Sequence, residues 1–207
     1  MKLTSQTLVA NTRIPVEHAM GVAGPSGPVP GANISPQLSW HDFPAETKSF
    51  VLICHDPDVP SRADDVNQAD RVVPYDLPRV DFYHWVLVDI PLSVTSLVQG
   101  EDGEGITPKG KAPGATKIGV RGINDYTSWF ASDADMAGNY GGYDGPWPPF
   151  NDERLHHYHF TIYALSVASL SLPPLFDGRQ VMAAMAGKVL AKDSLVVTYS
   201  LANEARA

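Results

Sequence analysis

Four short hydrophobic segments dominate the pattern along the chain. They are rich in β-branched and aromatic residues, and they span residues 49–55, 83–90, 157–167 and 195–201. Each has the length of a strand and ends near residues that favour turns, as at Asp56-Pro57 after the first segment. Three of the four are almost continuously apolar, which is typical of strands buried on both faces. The pattern therefore predicts a mainly β protein.

One helix is predicted near the C-terminus. Asp177 followed by Gln180 resembles a capping box, and apolar residues follow at helical spacing over 181–190. The stretches 61–81 and 100–150 show little regular pattern, and loops of this length in a compact domain usually carry function. We therefore expect a β-sandwich with one or two late helices and large loops at one end.

Composition narrows the class of protein. The 207 residues are 43% hydrophobic and 18% charged, with 17 glycines and 18 prolines, which excludes disorder and fits strands joined by ordered loops. No apolar run is long enough to span a bilayer, and a net charge of -8 argues against a nucleic-acid partner. The single cysteine excludes an intramolecular disulfide. No repeat or linker divides the chain, so residues 1–207 are predicted to form one domain.

The first candidate site follows the first predicted strand, in the sequence DPDVPSR at 56–62. Its prolines restrict the backbone, so that Asp56 has a defined direction at the strand end. For Asp58 and Arg62 we favour an ion pair within a rigid turn. His84, near the start of the second strand, gains a functional role if Asp56 lies close enough to orient or charge its ring. A satisfied core histidine is the alternative.

A second candidate site lies around the third predicted strand. Strand alternation places His156 and Tyr158 on one face and His157 and His159 on the other, so these histidines cannot share one metal ion and we predict no metal site. The first pair offers two hydrogen-bond donors suited to an anionic oxygen, with the proline-rich segment 145–149 as a stiff rim. The alternative is a packed strand whose polar groups are satisfied internally.

These segments resemble, in order and in rough spacing, the motifs of the phosphatidylethanolamine-binding protein family. The matching motifs are NISPQLSW (33–40), DPDVPSR (56–62), YHWVLVDIP (83–91), GINDY (122–126) and the segment from Gly145 to Tyr158. The first and fourth look like the bacterial and archaeal branch of the family. The resemblance implies a β-sandwich in which a larger antiparallel sheet packs on a smaller one, with C-terminal helices. It also implies a small anion pocket for phosphate-like head groups.

The resemblance assigns the pocket residues by position. The ligand-binding residues fall on Asp56, His84, Gly145, His156 and Tyr158. The neighbouring motif residues are assigned to the structural support of the pocket, and these are Asp58, Pro60, Arg62, Pro148 and Pro149. The chain departs from the family pattern in two insertions, around 63–81 and 128–139, both of which border the pocket motifs. It also has His157 where the family has an arginine.

We therefore expect a protein that binds a small anion, such as phosphate or a phosphoethanolamine-like group, without turnover and without a cofactor. The first alternative, which the resemblance also implies, is a protein-interaction regulator like an inhibitor of a kinase or protease, with the insertions as its contact surface. A hydrolase that uses Asp56 and a histidine has less support. Because residues 1–11 lack the apolar core of a secretory signal, we expect a cytoplasmic location. No integral membrane association is predicted, and the resemblance allows a homodimer.

Overall fold

The computed structural model describes residues 1–202 and 205–206. In this part of the chain the secondary structure is mostly strand. The strands are β1 (Lys2–Thr4), β2 (Gly21–Gly24), β3 (Gly27–Pro30), β4 (Leu38–His41), β5 (Ser49–Pro60), β6 (Arg79–Ile90), β7 (Ser96–Leu97), β8 (Gly114–Ala115), β9 (Val120–Arg121), β10 (His156–Leu165) and β11 (Val189–Tyr199). The helices are α1 (Tyr126–Trp129), α2 (Gly178–Ala184) and a 3-10 turn at Val16–His18.

The strands form one large sheet and one small sheet, as predicted. The large sheet has six strands in the order β11-β10-β5-β6-β9-β8, and the small sheet has the order β1-β4-β7. β2 and β3 form a separate hairpin. The pairs within both sheets are antiparallel. This arrangement confirms the mainly β fold and makes β10, β5 and β6 adjacent at the centre of the molecule.

The large sheet is covered on both faces, which explains why its strands are almost continuously apolar. On one face, Phe50 packs edge-on against Trp40 of the small sheet, with ring centroids 5.7 Å apart. On the other face, Val51 belongs to a cluster with Phe176 and Val181 from the C-terminal region. Successive residues of β5 therefore face two different apolar layers.

Strand β5 is longer than predicted. The sequence pattern places its end at Asp56-Pro57, but the strand continues to Pro60. The pairing with β6 shifts between Asp56 and Val59, so the ladder is irregular at this point. Because a proline has no amide proton for the ladder, such an irregularity lets β5 pass through Pro57. Asp56 thus lies within a bulged strand and not in a turn.

Helix α2 begins as predicted and ends early. The Asp177 side chain accepts a hydrogen bond from the Gln180 amide, and the Gln180 side chain accepts one from the Asp177 amide, which confirms the capping box. Gly187 adopts a φ of 72°, a left-handed conformation, and the chain then enters β11. The prediction that residues 189–190 belong to the helix is wrong. None of the described helices is long and apolar enough to cross a membrane.

Candidate functional site

A cavity of about 220 Å³ lies where the central strands β5, β6 and β10 meet the long loops. Asp56 reaches it from β5, His84 from β6, and His156 and Tyr158 from β10. Since these strands are neighbours in the sheet, residues far apart in sequence come together. The structure thus gathers four of the five residues that the resemblance assigned to ligand binding.

The alternation along β10 decides which of its polar residues face the cavity. His156 and Tyr158 are buried, whereas His157 and His159 are only partly buried and lie on the opposite face. There the centroid of the His159 ring lies 5.1 Å from that of His55, with the two ring planes tilted by 30°. Among the described residues, no group of three or more His, Cys, Asp or Glu side chains is placed to hold a metal ion.

His156 is clamped between two carboxylates. Its Nδ1 lies 2.6 Å from Asp56 Oδ2, and its Nε2 lies 3.1 Å from Asp152 Oδ2. Burial alone would lower the pKa of His156, but the two carboxylates raise it from 6.5 to about 9. The ring is therefore a buried imidazolium near neutral pH, and it donates both protons.

The two carboxylates are themselves held in the charged form. Burial alone would raise the pKa of Asp56, but the charge and hydrogen bond of His156 outweigh it and hold the pKa below its usual value. Asp56 also accepts a hydrogen bond of 2.8 Å from the Asp58 amide. Asp152 is engaged by Arg79 through two hydrogen bonds of 2.6 and 3.0 Å. Asp56, His156, Asp152 and Arg79 form an alternating row of charges, which we call the charge row.

His84 is held differently. Its Nδ1 lies 2.9 Å from the backbone oxygen of Asp144, and since a carbonyl only accepts, Nδ1 carries the proton. The ring packs edge-on against Tyr158 and Tyr126, at centroid distances of 5.2 and 5.6 Å. Burial lowers the pKa of His84, so the ring is neutral near pH 7. The hydrogen bonds of the described residues leave Nε2 without a partner.

Asp144 is a buried residue that sequence reasoning missed. Its carboxylate accepts hydrogen bonds from Asn33, Asn124 and Lys111, at 2.8, 2.8 and 2.6 Å. Asn33 and Asn124 come from two of the motifs that carried the family resemblance, 33–40 and 122–126. These motifs therefore fix the loop whose carbonyl oxygen orients His84. The asparagines within these two motifs were the sequence signal for this support.

Gly145 lies behind the cavity wall and not on its lining. Its amide donates to Asn33 Oδ1 at 2.7 Å, and its carbonyl oxygen accepts from the Tyr126 hydroxyl at 2.8 Å. A Cβ at this position would overlap the carbonyl oxygen of His18. The backbone amide is thus engaged within the protein, and the absence of a side chain lets two loops approach closely.

We expect Gly145→Ala to destabilise the fold by about 2 kcal/mol, within the range for overpacking a buried position. The cause is the contact of the new methyl group with the His18 backbone, which cannot turn away as a side chain would. Chemical denaturation in urea measures the loss. Gly105→Ser is a useful comparison because a Cβ there meets no atom within 4 Å, although its φ of 74° adds strain of its own. A larger loss at Gly105 than at Gly145 would contradict the steric explanation.

The support residues divide into two groups. Pro60, Arg62, Pro148 and Pro149 line the cavity. Asp58 does not, and its predicted ion pair with Arg62 is wrong.

The continued strand explains this difference. Because β5 extends to Pro60, Asp58 faces the neighbouring strand, where its Oδ2 lies 2.8 Å from His157 Nδ1. Arg154 approaches the other oxygen of Asp58 at 3.5 Å. Arg62 instead lies 3.7 Å from Asp64, on the surface.

Both segments that were identified as insertions contribute to the cavity. Ala63, Val66 and Asn67 line it from the loop between β5 and β6, and Trp129 and Phe130 line it from the end of α1. These segments were predicted to border the pocket, and their side chains form part of its wall.

Comparisons with known proteins agree with the sequence motifs. The family model for phosphatidylethanolamine-binding protein matches residues 4–200. A UPF0098 protein of Aquifex aeolicus is 34% identical over 169 residues, covering 82% of this chain and 75% of the relative. The UPF0098 protein YbhB of Escherichia coli is 30% identical over 202 residues, covering 97% of this chain and 100% of the relative.

Solved structures show the same architecture. The Chlamydia trachomatis homologue CT736 superposes with a TM-score of 0.63 at 29% identity, over 96% of this chain and 95% of that chain. Escherichia coli YbcL superposes with a TM-score of 0.67 at 24% identity, over 96% of this chain and 97% of that chain, and supports the fold alone.

Proposed function

Because the chain belongs to the phosphatidylethanolamine-binding protein family, we propose that it is a small-molecule binding protein whose cavity takes a phosphate-like anionic group at His84 and Tyr158. The observation that carries this proposal is the state of His84. Its ring is 3% exposed, Nδ1 is committed to Asp144, and Nε2 is left for a ligand. This nitrogen is not among the buried side-chain atoms closed off without a partner, so a ligand or water that enters the cavity can form a hydrogen bond with it.

The charges around the cavity determine how an anion binds. In the charge row, two carboxylates face an imidazolium and a guanidinium, so their charges cancel. With His84 neutral, these buried groups carry no net positive charge, and the Arg62 guanidinium on the lining is 65% exposed and lies 3.7 Å from Asp64. An anion is therefore bound best when His84 takes up a proton at Nε2, which gives a charge-assisted hydrogen bond about twice as strong as a neutral one.

We expect sulfate to bind about tenfold or more tightly at pH 5.5 than at pH 7.5. Sulfate keeps its charge over this range, so the difference comes from the protein. Burial lowers the pKa of free His84, and a bound anion raises it, so affinity rises as the pH falls between these two values by up to tenfold per pH unit. Amide NMR titrations at the two pH values measure the affinities.

The matched variants are His84→Gln and His41→Gln. His41 is an exposed histidine on β4, paired with Asp42 at 2.9 Å, and its loss should leave sulfate binding unchanged. His84→Gln should weaken binding at pH 5.5 about tenfold or more and remove the pH dependence. An affinity that is independent of pH in the wild type, or that survives His84→Gln, would contradict the proposal.

Binding without turnover is part of the proposal. Both nitrogens of His156 donate to carboxylates, so this ring holds Asp56 and Asp152 in place and has no free nitrogen to exchange a proton with a ligand. The regulatory alternative, with a protein partner on the segments 63–81 and 128–139, stays a prediction, as do a homodimer and a cytoplasmic location. A pull-down with the exposed loop residues Asp70 and Val72 changed to alanine tests the partner, because both lie outside β6 and the charge row. The side chains that these segments place in the cavity favour the ligand-binding function.

A further inference from the structure

The cavity has a polar end and an apolar end. The polar side chains Asp56, His84, His156 and Tyr158 are each at most 3% exposed and lie deep. Most of the remaining lining is aliphatic or aromatic, and its larger members are Val59, Val66, Phe82, Trp129, Phe130 and Trp147. Trp129 is 47% exposed, so this apolar end opens to solvent. The polar side chains therefore lie deep in the cavity, and the apolar ones lie nearer its opening.

We propose that the apolar end is a second subsite and that the ligand is a phosphate ester. The ring or short alkyl chain of this ester would lie between the loop 61–78 and helix α1. This inference rests on the proposed function, because it places the anionic group of the same molecule at His84. It names the chemical class of the ligand as an aryl or short alkyl phosphate, and it makes Val66 and Trp129 specificity-determining residues.

The size of the cavity supports a ligand larger than phosphate. A cavity of roughly 150 Å³ lined by apolar side chains holds a benzene ring, and this cavity has about 220 Å³. An inorganic anion at the polar end would leave the apolar end in contact with water. A ring or short chain on the same anion would displace that water from Phe82, Phe130 and Trp147.

The aromatic wall is already formed. Phe82 packs edge-on against Tyr126 at 5.0 Å, and Tyr126 stacks on Phe130 at 5.6 Å. The Trp147 ring lies directly on the backbone of Gly21, where a Cβ would overlap it. A ligand that enters therefore gains apolar contact without the cost of ordering these side chains.

The loop wall is also fixed. Asn67 is joined to the segment after Pro149 by a hydrogen bond from its amide to Asn151 Oδ1 at 3.0 Å and by one from the Phe150 amide to its side chain at 3.2 Å. The Asn151 amide group donates to the carbonyl oxygens of Asp65, Gln68 and Arg71. These bonds fix the loop from which Val66 lines the cavity.

Calorimetric titration with methyl phosphate and phenyl phosphate tests the second subsite. Both ligands carry a phosphomonoester, and they differ in the group that would fill the apolar end. We expect phenyl phosphate to bind about tenfold or more tightly. Equal affinities would overturn this inference while leaving the proposed function standing, whereas binding of neither ligand would overturn both.

Substitutions in the apolar wall separate the two subsites. Val66→Ser and Trp129→Ala should each weaken phenyl phosphate binding about fivefold or more and leave methyl phosphate binding unchanged. Val72→Ser is the matched control, because Val72 lies in the same loop, is 55% exposed and does not line the cavity. A loss of the same size in Val72→Ser, or an equal loss for both ligands in Val66→Ser, would overturn the assignment.

A lipid head group presents the same phosphoester chemistry on a membrane. Sedimentation with phosphatidylethanolamine vesicles distinguishes this source from a free ester. Tight binding to vesicles together with weak binding of phenyl phosphate would overturn the inference in favour of a membrane lipid. Binding of phenyl phosphate without vesicle binding supports the inference.

Discussion

Replacing Asp152 with asparagine is expected to lower the free energy of unfolding by about 3 to 5 kcal/mol, the range for removing one partner of a buried ion pair. Asp152 is 1% exposed and is the carboxylate that joins two buried cations, His156 and Arg79. When Asp152 is uncharged, Asp56 is the only carboxylate of the charge row left to balance these two cations. The Arg79 guanidinium loses its carboxylate partner and keeps carbonyl acceptors, among them the backbone oxygens of Asp58 and Pro74.

Urea denaturation at pH 7 measures this loss. Asp64→Asn is the matched control, because Asp64 forms an exposed ion pair with Arg62 and exposed pairs contribute about 0 to 1 kcal/mol. A second measurement, the NMR titration of the His156 ring, should show its pKa lower in Asp152→Asn than in the wild type. A loss below about 1 kcal/mol would contradict the central position of Asp152 in the charge row.

The strand pattern was readable because it depends on local sequence. Apolar runs of β-branched and aromatic residues predicted β5, β6, β10 and β11, and the period of two correctly placed His156 and Tyr158 on the buried face. The sequence places the end of β5 at Asp56-Pro57, because these residues favour turns. In the structure, β5 continues beyond a bulge because it still pairs with β6 there.

The contacts of the site depend on the register between strands, which the sequence does not show. Asp56 and His156 are 100 positions apart, and only the order β10-β5-β6 brings them together. Asp152 stands four residues before His156, a spacing that has meaning in a helix and none in the irregular segment that precedes β10. Arg79 lies at the start of β6, beyond the motifs that pointed to the pocket.

Stability is expected to fall by about 2 kcal/mol as the pH rises from 7 to 8.5, because of His156. The pKa of this ring is about 9 in the folded protein and near 6.5 when it is unfolded. The folded state therefore holds a proton that the unfolded state releases above pH 6.5. The resulting stabilisation is fully present below pH 6.5 and is lost as the pH rises through 9. The full difference corresponds to about 3 kcal/mol.

Urea denaturation at intervals from pH 7 to 8.5 measures this slope, and the window separates His156 from the other titrating groups. The pKa values of His55, His84 and His159 are lowered, so their effect on stability falls near and below pH 6.5. Burial raises the pKa of Cys54, which adds a loss that grows above pH 8.5. In Asp152→Asn the slope should become shallower, because His156 then has one carboxylate fewer to hold its proton. A flat profile in the wild type would show that His156 is neutral in the folded protein, and the charge row would then lack the cation that joins Asp56 to Asp152.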